Sequence, residues 1–288
     1  MTNTDSIYDF GFSGDEFLGE LTIVPYAQFL NANDKDYGIA ITSQNAELAQ
    51  FELTDSWQPI EHQFAEGTNE TLLATKTPKM LILNRSQPLM SNEVETIAYD
   101  KAKFSQGGYK AFSYIVVLFL DDNNKPISEL PFRLKCSGYS GITFLKNYDY
   151  HDNPDSFCKQ FLGVYKSLTG DRAISKNEVF YAHGVYCPKL VRKKATSSVN
   201  GQSSLAVQTE SFIEPTASNF GSLIIKNGSE VSDKIKELIE TTKPWLKVES
   251  VSPVVEEQPD SNQLDVSGYP EIESTTDKIH NAEIAPPF

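Results

Sequence analysis

The clearest secondary-structure signal in the chain comes from residues 109–136, which consist of the segments YKAFSYIVVLFL, DDNNKP and ISELPFRLKC. The first segment is aromatic and β-branched, as strands favour, and the second consists of turn formers. In the third, Phe132, Leu134 and Cys136 alternate with Arg133 and Lys135, which gives one apolar and one cationic face. We therefore expect a β-hairpin at the centre of the fold.

Short apolar runs on either side of this hairpin indicate further strands. Residues 38–42, 46–53 and 79–84 are bounded by turn formers and have lengths typical of strands. Two longer strand candidates follow at residues 178–192 and 203–213. Together with the hairpin, these segments predict a mainly β protein.

A helical period appears in two places. Asn153 and Pro154 are a cap residue and a proline suited to a first helical turn. Apolar residues then recur at helical spacing before Gly170, namely Phe157, Phe161, Val164, Tyr165 and Leu168. A second helix is expected at residues 229–241, and residues 139–148 are expected to continue the sheet. The fold class is therefore α+β, mainly β, with one or two helices.

The order of three strands, a helix and two strands matches the oligonucleotide-binding barrel, the OB-fold. In such barrels the loop between the last two strands flanks the binding face. The basic, turn-rich residues 193–202 fall in that place. We expect either an OB-fold-like barrel or a β-rich domain of another topology.

The chain divides into three parts by composition. Residues 1–19 form an acidic arm, residues 20–248 the β-rich domain, and residues 249–288 an acidic tail. Ser, Pro, Glu and Asp dominate the tail and no apolar period survives there, so we expect it to be disordered. The oligomeric state stays open, a homo-oligomer included.

Targeting signals are missing from the sequence as given. No apolar run approaches the ~20 residues that span a bilayer. The start, Met1-Thr2-Asn3, lacks the basic and apolar regions of a secretory signal. Three scattered cysteines do not suggest a disulfide framework. We expect a cytoplasmic protein with no membrane partner.

The net charge of −14 argues at first against a nucleic-acid partner. The distribution of the charged residues along the chain weakens this objection. The tail holds nine acidic residues and one basic residue, so it carries −8 and the rest of the chain only −6. Residues 179–209, by contrast, contain no acidic residue and four basic ones. The charge is segregated, and the body keeps a basic segment.

Cations interleaved with aromatic residues are the pattern that holds single-stranded nucleic acid, since cations follow phosphates and rings stack on bases. Aromatic residues can instead fill the core, and this is the better interpretation for Phe112, Phe132, Phe144 and Phe180. For the tyrosines beside lysines, both interpretations remain open. The predicted nucleic-acid-binding residues are Lys110, Tyr114, Arg133, Lys135, Tyr139, Lys146, Tyr181, Tyr186, Lys189, Arg192, Lys193 and Lys194.

The chain ends in an aromatic anchor behind prolines, with a free carboxylate and acidic surroundings. A small apolar pocket rimmed by Arg or Lys would capture all of these features together. The predicted partner-binding residues are Glu283, Ile284, Pro286, Pro287 and Phe288. An ordinary solvated terminus is the alternative.

This tip resembles the C-terminus of bacterial single-stranded DNA-binding proteins, an acidic run that ends in Ile-Pro-Phe. Some phage single-stranded DNA-binding proteins have a similar tail. Ile284, Pro287 and Phe288 carry the resemblance, while Ala285 interrupts it and the dense aspartate run is missing. The resemblance implies recruitment of replication, recombination or repair proteins. The body carries no motif of a characterised family, and its general character is similar to that of uncharacterised cyanobacterial and phage-borne proteins.

Enzymatic interpretations find little support in the sequence. There is no phosphate-binding glycine loop of either common type. His183 and Cys187 could share a metal, but no second pair of ligands has suitable spacing. We predict no catalytic residue, no metal and no cofactor. The expected function is non-catalytic binding of single-stranded DNA, and the alternative is a structural or adaptor protein of phage or plasmid origin.

Overall fold

The computed structural model describes residues 24–64, 67–149, 153–170, 177–196 and 203–246. In these ranges the chain forms eleven β-strands and six α-helices, and most of the core belongs to the strands. The protein is mainly β and of the α+β class, as the sequence predicts. The proposed acidic arm and the acidic tail lie outside the described residues.

The strands follow one another along the chain with helices between them. The strands are β1 Tyr26–Asn31, β2 Tyr37–Thr42, β3 Gln58–Gln63, β4 Asn69–Thr75, β5 Met80–Arg85, β6 Leu89–Ser91, β7 Thr96–Ala98, β8 Lys110–Phe119, β9 Phe132–Ser137, β10 Pro188–Thr196 and β11 Ser203–Phe212. The helices are α1 Ser43–Leu48, α2 Lys101–Ser105, α3 Gly138–Asp149, α4 Phe157–Thr169, α5 Glu178–Ala182 and α6 Glu230–Thr242.

Nine strands form one sheet in the order β3-β4-β2-β1-β9-β8-β6-β7, with β5 also paired to β8. The long strand β8 is central, because its second half pairs with β5 and its first residues pair with β6. Its other edge pairs with β9 in antiparallel register, so that Tyr114 lies opposite Lys135. The predicted central hairpin is confirmed. The only parallel pair in the described sheet joins β1 to β9.

The remaining two strands, β10 and β11, form a separate antiparallel hairpin. In the comparison with the OB-fold, the three strands before the helix correspond to β5, β8 and β9. These strands are neighbours in the large sheet. The last two pair with each other rather than closing that sheet within the described ranges. The topology is therefore the broader of the two expected architectures, a β-rich domain with a mixed sheet.

Both faces of the sheet are covered at its centre. On one face, Ile115 and Val117 pack with helices α3 and α4 and with the β10–β11 hairpin. On the other face, Val116 and Leu118 pack with helices α5 and α6. This alternation buries β8 on both sides, which explains why residues 115–120 read as an unbroken apolar run.

The two predicted helices are confirmed with small changes at their ends. Helix α4 begins at Phe157 behind the N-cap Ser156, three residues later than Asn153 suggested. It ends at Gly170, whose φ of +70° is the left-handed conformation of a C-cap glycine. Helix α6 follows Ser229, whose side chain accepts a hydrogen bond from the amide of Ser232.

Helices replace one predicted strand segment and parts of two others, although residues 188–192 are confirmed as strand in β10. Residues 139–148 lie in helix α3, where Phe144, Leu145 and Tyr148 reach the core at helical spacing. Helix α1 occupies part of residues 46–53, and helix α5 the start of residues 178–192. None of the helices in the described ranges is long and apolar enough to cross a membrane.

Candidate nucleic-acid interface

The predicted cations of β10 lie along an exposed hairpin strand. The side chains of Lys189 and Lys193 are 60% and 54% exposed, and Lys194 is exposed beside them. The apolar residues Leu190 and Ala195 of the same strand are buried and anchor it to the body. The strand therefore presents a row of basic side chains, Lys189 and Lys193, on one side, and Lys194 on the other.

The absence of acidic residues from residues 179–209 suggested a row without carboxylates. In the structure, however, Glu210 contacts the row. The strand register jumps from Lys189 opposite Ser211 to Leu190 opposite Thr209, so Glu210 is the extra residue of a β-bulge. Its carboxylate accepts hydrogen bonds from Lys193 at 2.7 Å and forms an ion pair with Lys189 at 2.9 Å. These two contacts, first that with Lys193, lower the pKa of Glu210 to about 2.

Arg192 differs from its lysine neighbours because its side chain is only 15% exposed. Its Nε donates to Oδ1 of Asn31 at 2.8 Å, and its Nη1 donates to the carboxylate of Asp34. Arg192 therefore ties the hairpin to the end of β1. Its role is structural as well as electrostatic.

Two residues that the sequence analysis missed extend the basic row. The Nζ of Lys76 lies 4.4 Å from the centre of the Tyr37 ring, in a cation–π contact. The carbonyl of Lys76 accepts a hydrogen bond from the amide of Leu190, so this pair sits beside the hairpin. Tyr37 also contributes to a raised pKa of Lys189, although the hydrogen bond to Glu210 is the main cause.

We call this area the hairpin surface. It carries five basic side chains and the two carboxylates of Asp34 and Glu210, which leaves a net charge of +3 in a protein of net charge −14. The hairpin surface consists of Asp34, Tyr37, Lys76, Lys189, Arg192, Lys193, Lys194 and Glu210.

The second group of predicted residues lies on the large sheet. The guanidinium of Arg133 lies 4.4 Å from the centre of the Tyr26 ring and 4.5 Å from that of Tyr114. Its Nη1 donates to the carbonyl of Trp245 at 2.9 Å, which holds the segment after α6. Lys135 lies 4.7 Å from the ring centre of Phe112. All except the buried Phe112 are half-buried, so these contacts serve the fold.

The two groups lie on opposite sides of the sheet. Leu190 of the hairpin packs in the same core cluster as Ile115 and Leu134. Their chain neighbours Tyr114 and Arg133 project from the other face, because side chains alternate along a strand. The predicted nucleic-acid-binding residues of these two groups therefore form two surfaces, and the hairpin surface is the more exposed.

A family model described as a domain of unknown function, DUF5895, matches residues 22–257. The chain belongs to this family. No curated protein and no solved structure matches it.

In this DUF5895 domain Tyr186 is a core residue, and its prediction as a nucleic-acid contact is wrong. Its side chain is 0% exposed and its ring packs against Phe144, Tyr148 and Phe157. Burial raises its pKa well above the usual range. A ring that solvent does not reach offers no face to a base.

The other predicted residues are scattered over the surface of the domain. Tyr181 is half-buried on α5, and burial is the main cause of its raised pKa. Lys146 is exposed in the last turn of α3, and Lys110 is exposed at the start of β8. The hydroxyl of Tyr139, which is 37% exposed, donates to the carbonyl of Thr196 at the end of β10. Of these, only Tyr139 borders the hairpin surface.

The histidine considered as a metal ligand is part of the core. The ring of His183 is hydrogen-bonded through Nδ1 to the carbonyl of Val179 at 2.6 Å and through Nε2 to the hydroxyl of Ser232 at 2.9 Å. Both ring nitrogens are thus engaged with protein groups. His183 links α5 to α6 on the face opposite the hairpin.

Proposed function

We propose that this protein binds single-stranded DNA through the hairpin surface. The supporting observation is a row of exposed lysines beside a tyrosine, on a surface of net charge +3 in an acidic protein. The exposed lysines contact phosphates, while Tyr37 and Tyr139 supply rings at the margins. The lysine contacts go to phosphates and sugars alone, so binding is independent of sequence.

On this surface a DNA phosphate can take the place of the Glu210 carboxylate. With no DNA bound, its carboxylate occupies the two lysines that would otherwise attract phosphate. A phosphate can replace the carboxylate on each lysine, because exposed ion pairs of this kind contribute little to stability. The surface therefore avoids a strong uncompensated charge and stays available to a polyanion.

The tail completes the proposal. Residues 283–288, which include Pro286 and Phe288, lie outside the described residues and recruit replication, recombination or repair proteins by their aromatic anchor and carboxylate. Deleting the last three residues should abolish partner capture and leave DNA affinity unchanged or raised. In this role the protein acts in the cytoplasm at the nucleoid.

Charge reversal on the hairpin tests the proposal. Fluorescence anisotropy with labelled oligothymidine should show at least a tenfold weaker affinity for the variant Lys193→Glu, Lys194→Glu than for the wild type at about 100 mM salt. The matched control is Lys226→Glu, Lys236→Glu, which makes the same change of net charge at α6 and just before it.

The two variants separate the outcomes. The control should bind within about twofold of the wild type if the contacts are local. Equal weakening of both variants would mean that only overall charge matters, and would reject the hairpin surface. Absence of any oligothymidine binding by the wild type would reject the function and favour the structural or adaptor alternative.

A further inference from the structure

A pocket of about 570 Å³ opens where β5 ends at the edge of the large sheet. It lies on a different part of the molecule from the hairpin surface. Its lining includes Arg85, Ser86 and Gln87 from the end of β5, Glu178 from α5, and Lys243 and Leu246 after α6. The volume falls in the range of small-molecule sites, about 300–1,000 Å³.

The walls of this pocket are held in place by hydrogen bonds. The side-chain amide of Asn84 donates to the carbonyl of Ile239 at 2.7 Å and to the hydroxyl of Thr242 at 2.8 Å, which fixes the end of α6 on β5. Ser86 accepts from the amide of Tyr114 at 2.9 Å and donates to the carbonyl of Gln87. These bonds fix the end of β5 and the end of α6, which form two sides of the pocket.

Arg85 is the unusual residue of the pocket. It is half-buried, and within the described ranges its guanidinium makes no hydrogen bond or ion pair. A half-buried guanidinium without a protein partner keeps N–H donors that an anion can reach. The five donors of a guanidinium match a phosphate in a planar, two-point contact. The pocket thus offers an unused anion-binding group.

Its other polar groups complement Arg85. Among the described residues Lys243 pairs only with Glu240, in an exposed contact of 2.6 Å, which is weak enough for the ammonium to turn to a stronger anion. The side-chain amide of Gln87 adds donors, and the carboxylate of Glu178 can accept from hydroxyl groups. Arg85 and Lys243 can share one phosphate group, and the Glu178 carboxylate can accept from hydroxyl groups. These residues therefore suit a phosphate joined to a polyol.

We propose that this pocket binds a nucleoside 5′-monophosphate. The phosphate contacts Arg85 and Lys243, the ribose hydroxyls donate to Glu178, and Leu246 supplies apolar contact. The nucleotide is either free or the 5′-phosphorylated end of a nucleic-acid strand. The inference does not depend on DNA binding by the hairpin surface.

Isothermal titration calorimetry on the full-length chain tests the assignment with adenosine 5′-monophosphate and with adenosine. We expect saturable binding of the monophosphate, at least tenfold tighter than adenosine. Arg85→Gln should weaken monophosphate binding at least tenfold and Lys243→Gln about threefold, while Lys226→Gln, an exposed position before α6, should leave it unchanged. Thermal unfolding of each variant shows whether the fold is intact.

The outcomes are distinct. No saturable binding of the monophosphate, or equal affinity in the wild type and in Lys243→Gln and Arg85→Gln, would overturn the assignment. Anisotropy with 5′-phosphorylated and 5′-hydroxyl oligothymidine separates the two sources: tighter binding of the phosphorylated strand, lost in Arg85→Gln, indicates a strand end, and equal binding indicates a free nucleotide. Loss of oligothymidine binding in the hairpin variants with monophosphate binding retained would show that the two sites are independent.

Discussion

Removing the charge of Glu210 should strengthen DNA binding. Glu210 is the only carboxylate in contact with Lys189 and Lys193 in the described part of the chain, at 2.9 and 2.7 Å. The change Glu210→Gln keeps the size of the side chain, removes its negative charge and replaces one acceptor oxygen with an NH2 donor. It frees both lysines for phosphate.

The magnitude follows from these distances. A phosphate on the far side of either ammonium would lie about 5–6 Å from the Glu210 carboxylate, where the repulsion between two unit charges in water is close to the thermal energy. Removing it should tighten binding by about threefold per phosphate. With two lysines involved, we expect about a tenfold gain at low salt, which shrinks as salt screens the repulsion.

The assay is fluorescence anisotropy with oligothymidine over a salt series. Glu237→Gln is the matched control, because it makes the same charge change on an exposed position of α6. Glu210→Gln should bind more tightly than the control at low salt, and the difference between the two variants should shrink as the salt concentration rises. Equal affinity of the two variants, or weaker binding by Glu210→Gln, would refute the role given to the hairpin lysines.

Three further predictions concern the body of the protein. The buried hydroxyl of Tyr186 has no partner in the described part of the chain, so Tyr186→Phe should raise the free energy of unfolding by about 1 kcal/mol in urea titrations; a loss of stability would reveal a missed partner. A Cβ on Gly141 would lie 2.3 Å from the backbone carbon of Cys136, so Gly141→Ala should cost about 2 kcal/mol or more. The control Gly163→Ala, which meets nothing within 4 Å in the middle of α4, should gain about 0.5–1 kcal/mol, and the same sign for both would contradict the packing of α3 on β9. Burial raises the pKa of Cys136 to about 12 and that of Cys187 to about 11, so at pH 8 both should react far more slowly with Ellman's reagent in the folded than in the unfolded protein; equal rates would show that the thiols are exposed.

Local patterns in the sequence predicted the elements whose signals lie within one segment. The β8–β9 hairpin and helix α4 carry strand alternation, turn residues and a capping glycine in a continuous stretch. Helix α3 was missed because its Ile142, Thr143 and Phe144 have strand propensity, and the packing of Phe144 and Tyr148 in the core overrides it. Helix α5 was missed because five residues are too few to show a period.

The sequence predicted only part of the candidate site, because some of its contacts join residues from different segments of the chain. Residues 179–209 are free of acid, yet the first residue after them, Glu210, folds back onto Lys189 and Lys193 through a bulge. Strand pairing also brings Tyr37 and Lys76 to the hairpin from far along the chain. Such contacts depend on register and on bulges, which a single sequence does not reveal.

The salt dependence of oligothymidine binding by the wild-type protein tests the central claim most directly. If Lys189, Arg192, Lys193 and Lys194 contact phosphates, the slope of log affinity against log salt should be about −2 to −3, at roughly 0.7 for each contact. A slope near zero, or no binding at 50 mM salt, would contradict nucleic-acid binding by the hairpin surface.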